Sequence, residues 1–419
     1  MLNTLSFSFK ETYLKNQLRF LELTFLSLFL VFLPSLEAPK NIFLASYLGV
    51  AIYRQFKFGF QKWDLWDWTF LLLVISALLS AMFAGIPGGA EWKGFRGFLL
   101  WIVFGFVLSR GDYNIKEKIY LFALTILATL PTLIWGLMQF FLGIKDSLEL
   151  HSVGHVNHSA IYLCMIFGAS YGISQFYILK KDLFRNFFLA LLPISLFISI
   201  ILSESRGALG IAFLTFLSFI LLSKINLKGR FFQVLPYVLI LILTISFSAP
   251  IIEKHISDQK QNIVLANRDK AWLAAIEVAR VYPIFGIGSG NWSHIKIDQI
   301  KSAIESRGEV FDPEKYAFNF GHPHNIYFSN LAERGILGLI IFLNFLVIWL
   351  ITLINSYKNA LKSSEAFLLF SGSLSAFAAI FGIGLVNTTF HHENALLALF
   401  FLSLHLNYLR QKNQLKLFS

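Results

Sequence analysis

The feature that most constrains this chain is a succession of apolar stretches, each about 17–25 residues long and separated by polar turns. Inside lipid every backbone N–H and C=O must be satisfied within the protein, so such stretches are read as helices. They fall at 17–34, 40–56, 66–84, 95–109, 119–143, 158–179, 186–203, 207–223, 231–250, 335–356, 366–387 and 394–409, which predicts twelve spans with both termini on one side. Composition agrees: of 419 residues 56% are hydrophobic and 14% charged, and the mean hydropathy of +0.64 lies outside the range of soluble domains. The expected fold is an all-α polytopic membrane protein, one transmembrane domain over 1–419 with a single large extracytoplasmic cap at 251–334 between the ninth and tenth spans.

Orientation follows from lysine and arginine. With cytoplasmic termini, twenty of the 35 basic residues fall in inside segments, five (Lys40, Lys93, Arg96, Lys145 and Arg206) in short outside loops, and ten in the cap. That is the positive-inside bias. The net charge of +11 is thus assigned to topology and to contact with anionic membrane lipids, and nucleic acid is excluded as a partner. A single cysteine, Cys164, excludes an intrachain disulfide and any CxxC site. The first apolar stretch lacks a small-residue cleavage site and is read as a retained span.

Under this topology the unusual polar residues gather on the outside: Trp92 to Arg96, His151 to His158, Ser203 to Gly207, the cap, and Asn387 to Asn394. Within the cap, Asn267 is expected to cap a helix from Arg268 to about Val281, ended by Pro283, with Arg268, Trp272, Ala275 and Ala279 on one face. The glycines of Phe285 to Gly290 lack a surrounding βαβ unit and are read as a tight turn, not a dinucleotide fingerprint. Pro323 is expected at the first position of the next helix, which puts His324 in its first turn, where the helix dipole favours neutral imidazole. At 100° per residue His324, Phe328, Leu331, Gly335 and Gly338 share one face within about 40°. Close packing through the glycines would then aim His324. Glu333 and Arg334 are expected to pair locally.

With these residues assembled, the chain resembles the O-antigen ligase and polymerase superfamily. The pattern His-Asn, nine residues, then Gly-x-x-Gly reads HNIYFSNLAERGILG from His324 to Gly338, preceded by Gly321-His322-Pro323. The resemblance extends to Lys93 and Arg96 before the fourth span, to Ser203 through Arg206-Gly207 before the eighth, and to Arg268 with Trp272 and the following turn. It implies a membrane (GT-C-like) glycosyltransferase, inverting and metal-independent, with no cofactor. Its donor would be a preassembled glycan on undecaprenyl pyrophosphate and its acceptor, at the periplasmic face of the inner membrane, a lipid A-core sugar for a ligase or another lipid-linked repeat for a polymerase. It also implicates the arginines and the histidine in the active site. A protein-glycosylating relative and, from another class, a lipid-linked glycan transporter stay open.

The residue chemistry is compatible with that resemblance. A glycan on pyrophosphate carries a good leaving group, so the site must chiefly stabilise negative charge growing on phosphate. Arg206 and Arg268 suit this through their fixed forks of donors, and Lys93 and Arg96 are candidates to hold a diphosphate. Neutral His324 would accept the proton of the attacking hydroxyl or position that hydroxyl, with Asn325 and His322 beside it. His155, Asn157, His158, Asn387 and His391 are candidates to line a sugar pocket. His322 with His324, and His391-His392-Glu393, are also ligand types for a metal, but their spacing matches no zinc motif. No Asp-x-Asp pair, Walker loop or midspan carboxylate supports a nucleotide-sugar enzyme, an NTPase or an ion-coupled transporter.

Overall fold

The computed structural model describes residues 2–59, 62–150, 153, 155–177, 183–222, 235, 238–239, 242, 268–316, 318 and 321–415. Among them every regular element is helical. Eleven of the twelve apolar stretches coincide with helices: α1 (Leu2–Phe32), α2 (Glu37–Phe58), α3 (Leu65–Met82), α4 (Ala90–Ser109), α5 (Ile115–Phe141), α6 (Val156–Tyr177), α7 (Leu183–Leu202), α8 (Arg206–Leu222), α11 (Ile326–Ala360), α12 (Ser364–Gly382) and α13 (His392–Gln411). The ninth, 231–250, lies almost wholly outside the described residues, as does the expected cap residue Asn267. Between α8 and α11 the cap contributes α9 (Arg268–Val281) and α10 (Ile297–Glu305). Six helices, α3, α4, α5, α6, α11 and α12 with the turn after it, are by themselves long and apolar enough to cross a bilayer, which is consistent with a polytopic membrane protein.

Burial separates the centre of the bundle from its rim. In α6, 89% of the apolar window is covered by protein and in α12, 72%, against 50% in α3, so α6 and α12 form the interior and α3 leaves half its apolar surface for lipid. Helix α13 is buried along nearly its whole length against α4 and α12. Helices α6 and α12 approach closely where Gly168 and Gly172, four residues apart, face Ser375 and Ser371. A Cβ on Gly168 would stand 2.2 Å from the Ser375 Cβ, and one on Gly172 would stand 1.8 Å from the Ser371 hydroxyl. Here small residues let backbones meet without a side chain between them.

One end of the bundle is tied by ion pairs. Asp64 and Asp67 cap α3 reciprocally, and both also receive Arg410 from the last turn of α13, at 2.7 Å for the Asp64 contact. Asp67 takes Arg110 at the end of α4 as well, through an Nε bond of 2.7 Å. Glu22 holds Arg54 and the Tyr113 hydroxyl. At the other end the chain emerges into the starts of α6, α8, α11 and α13 and the end of α12, and there the polar residues singled out from the sequence lie.

Two expectations for the histidine motif are corrected. Helix α11 begins at Ile326, not at Pro323: Asn325 is the N-cap, its side-chain oxygen accepting from Tyr327 N at 2.9 Å and Phe328 N at 3.0 Å. Asn is among the strongest capping residues, and it outcompetes a proline start two residues earlier. His324 therefore precedes the helix, with φ +50. Nor do Gly335 and Gly338 lie on one helical face with it. At Gly335 (φ 65, ψ −170) the helix breaks, in a conformation that only glycine adopts readily.

The break is filled by the turn after α9. Ile336 N donates to Pro283 O at 2.8 Å, while Ile287 N and Gly288 N donate to the carbonyls of Ala332 and Glu333 at 3.0 and 2.9 Å. Groups freed by the break thus find backbone partners in the cap turn. A Cβ on Gly335 would lie 2.2 Å from Ile284 O, so the glycine permits backbone-to-backbone meshing between α11 and the cap. Glu333 and Arg334 make no ion pair. Arg334 instead donates to Ser289 Oγ at 3.0 Å and lies 3.7 Å over the ring of Phe98 on α4. Gly338 leaves room for its aliphatic stem.

Candidate active site

Four consecutive residues after α12, 385–388, receive the motifs one after another. Asn325 Nδ2 donates to Leu385 O at 2.7 Å and Arg268 Nη1 donates to Val386 O at 2.7 Å. Gly207, next to Arg206, packs so closely on Val386 that a Cβ would lie 2.8 Å from its methyl. His324 hydrogen-bonds Asn387, and Thr388 Oγ1 lies 3.3 Å from His322 Nδ1. Segments more than a hundred residues apart are brought onto one short turn.

Arg206 is the first residue of α8, and Arg268 is the first described residue of α9. A helix start carries partial positive charge and favours anions, so a cation at the start of α8 does not serve that helix. A helix start and two guanidiniums together suit an anion such as phosphate. Burial, and then the charge of Arg206, hold the Arg268 guanidinium below its ordinary value, which registers the two as neighbours. Ser205 Oγ donates to Asn157 Oδ1 at 3.1 Å and fixes the arginine segment to the start of α6.

Around this corner the histidines form a continuous group. The rings of His322 and His324 are 4.2 Å apart, those of His158 and His391 4.4 Å, and His158 lies 6.3 Å from both His155 and His322. The backbone N–H of His324 donates to His322 Nδ1 at 3.2 Å, so that nitrogen is unprotonated. Burial, followed by the neighbouring imidazoles of His324 and His158, pushes His322 down to about 3. His324 is lowered by burial and then by the Arg268 charge, and His391 is held well below 6.5 by burial and by His158. The imidazoles of His322, His324 and His391 are thereby neutral proton acceptors at pH 7. The sequence expectation of a neutral His324 holds for a different reason, since no helix dipole acts on it from a first turn.

Other candidates are placed differently. Lys93 and Arg96 are exposed on the first turns of α4 and make no ion pair among the described residues. Helix α4 reaches the site only further along, where Phe98 packs on Phe390 (6.2 Å) and Trp101 on His392 (6.0 Å). Pro323 is buried before the cap residue, and Gly335 and Gly338 lie about three to four turns beyond the site. Sequence reasoning missed Thr388, the Leu385 and Val386 carbonyls, and a buried ion pair between Lys40 of α2 and Glu393 of α13. A carbonyl acceptor has no signature in a sequence; Lys40 read as an ordinary membrane-edge lysine.

Fold and site together define a polytopic, all-helical membrane protein whose polar end carries an anion-attracting arginine pair beside neutral imidazoles. Residues 189–343, somewhat more than a third of the chain, match the model of a family described as O-antigen ligase, so this region is similar to that family. The matched region runs from α7 into α11 and contains Arg206, Arg268, His322, His324, Gly335 and Gly338. Members of that family are membrane glycosyltransferase-like enzymes of the bacterial inner membrane, acting on lipid-linked glycans and the lipid A core. No curated protein matches the chain.

Proposed function

We propose that the chain is an O-antigen ligase: a metal-independent, inverting glycosyltransferase that moves a preassembled glycan from undecaprenyl pyrophosphate to a sugar hydroxyl of the lipid A core. The reading takes the bundle as about twelve spans with cytoplasmic termini and the 251–334 segment as a periplasmic cap. The observation that carries it is the convergence of Gly207, Arg268 and His324 on 385–388, with the Arg206 charge acting on Arg268.

In this reading the acceptor oxygen attacks the anomeric carbon on the face opposite the pyrophosphate. The bond from that carbon to the phosphate oxygen breaks, and its electron pair leaves with the diphosphate. The acceptor proton passes to neutral His324, held by Asn387. The charge growing on phosphate meets Arg268, already oriented by Val386 O, and Arg206 at the start of α8. His158 and His391 extend from the base as polar, uncharged surface for sugar hydroxyls, with the His155 ring beside His158, and Lys93 and Arg96, exposed on the first turns of α4, are the candidates to hold a diphosphate.

His324→Ala, Arg206→Ala and Arg268→Ala are expected each to abolish transfer while the protein stays in the membrane. Normal polymer-capped lipopolysaccharide in these variants would refute the assignment. Deletion of the gene separates ligase from polymerase: long chains still on undecaprenyl pyrophosphate but absent from core support the ligase, whereas single repeats on core mean polymerase. Transfer by purified protein in excess chelator tests metal independence, and its loss there would overturn that part.

A further inference from the structure

The Lys40 and Glu393 side chains form an ion pair across 353 positions of sequence, with relative side-chain exposures of 4% and 11%. Lys40 lies in the first turn of α2, after Glu37, where the helix dipole disfavours a cation. Its burial therefore does not serve α2. Glu393 lies in the first turn of α13, directly after His391 and His392, where a carboxylate is favoured. Residues 391–394 wrap His158: the His391 ring is 4.4 Å from it, and Asn394 Nδ2 donates to its carbonyl at 3.3 Å. His392 holds φ +46, a strained value for a residue with a side chain, and stacks on Trp101. Glu393 is thus a carboxylate fixed against the histidine group. Also facing that group are Lys40 on α2, the histidines of α6, of 322–324 and of 391–392, and Arg268 on α9.

We propose that Lys40 is a positioning residue for glycan transfer: it binds Glu393 as an internal pair, fixing the first turn of α13 and withholding a counter-ion from the buried histidines. A free carboxylate at this position would attract a proton onto an imidazole and remove a proton acceptor from the site. His158 is the ring on which the Glu393 charge acts upward, against burial and the neighbouring imidazole of His155 that hold it down, and beside it both nitrogens of the His391 ring are buried without a hydrogen-bond partner. The lysine charge keeps the group uncharged without occupying the site.

The inference rests on the transferase reading, and its test separates the two. Transfer is followed against pH in full-length protein in lipid vesicles, with undecaprenyl-pyrophosphate glycan and core acceptor, for the parent, Lys40→Met, Lys40→Arg, Glu393→Gln and Lys40→Met/Glu393→Gln. The acid limb of Lys40→Met is expected about one pH unit above that of the parent. That is about a tenfold loss at the pH where the parent begins to fall. Lys40→Arg and the double variant should follow the parent curve. A Lys40→Met curve that superimposes on the parent, or the same displacement in the double variant, overturns the proposal. If Lys40→Met does not accumulate in the membrane, Glu393→Gln decides: an unpaired lysine must move the acid limb downward, and an unchanged limb overturns the proposal. A parent protein without any transfer refutes the transferase reading instead.

Discussion

The mesh between α11 and the cap yields the sharpest quantitative expectation, for Gly335→Ala. The native backbone there (φ 65, ψ −170) lies where an L side chain is strained by about 1–3 kcal/mol. The new Cβ would also stand 2.2 Å from Ile284 O and 2.3 Å from Ile284 C, both backbone atoms. Relief requires the turn at 283–288 to move away from α11 by about 1 Å, which breaks or lengthens the bonds from Ile336 N to Pro283 O, Ile287 N to Ala332 O and Gly288 N to Glu333 O. At about 0.5–1.5 kcal/mol net for each, losing two or three adds about 1–4.5 kcal/mol and brings the total to about 2–7.5 kcal/mol. The same turn follows α9, so displacement also moves Arg268 relative to His324 and transfer should fall with stability. The assay is thermal unfolding in detergent beside transfer activity, with Gly210→Ala as control. Gly210 lies in α8 with nothing within 4 Å of a new Cβ, and its replacement should be neutral or slightly stabilising. A Gly335→Ala protein that melts with the parent and transfers glycan at the parental rate would refute the meshing argument.

Other expectations follow from the same geometry. Arg268→Ala should lower kcat about 10²–10³-fold, and Arg268→Lys should recover little because a point charge cannot hold Val386 O and a phosphate fork together; near-parental kcat for the lysine variant refutes the bidentate role. Asn387→Ala should reduce transfer by about tenfold with little loss of stability, since it removes one oriented hydrogen bond to His324; an unchanged rate refutes that orienting role. Because folding depresses His322 from 6.5 to about 3, the unfolded chain binds the proton first, so stability should decline as pH falls from about 6.5 toward 3, and His322→Gln should flatten the decline in pH-dependent melting. A bound diphosphate should offset the Arg268 charge that depresses His324, so the acid limb of kcat should lie above that of kcat/KM; coincident limbs would place the base elsewhere.

Much of the bundle was legible because lipid imposes length and continuity on every span, and α9 was legible from Pro283 and the alanine face opposite solvent. The start of α11 was misread although its signal was present. Asn325 and Pro323 both mark helix starts, and only the capping hydrogen bonds from Tyr327 and Phe328 choose between them. The Gly335 and Gly338 spacing is the same for a packed face and for a break, so sequence alone could not separate a glycine that admits a neighbouring helix from one that adopts φ 65. Gly168 and Gly172 perform the packing role expected of the motif glycines, against serines two hundred residues away.

The 385–388 turn explains why the site as a whole was only half legible. Its main contributions are the carbonyls of Leu385 and Val386, which any residue type supplies, so their use by Asn325 and Arg268 leaves no trace in composition or spacing. What the structure does record is the cost of the arrangement: an arginine at the start of α8, a histidine at φ +50 and a lysine buried in the first turn of α2. Each is unfavourable locally, and each is compensated only by what converges on this end of the bundle. Arg268 then acts twice, since the charge that attracts an anionic leaving group is the one that keeps His324 deprotonated until that group arrives. Anion recognition and base readiness are therefore one electrostatic arrangement, and a substitution that alters one must alter the other.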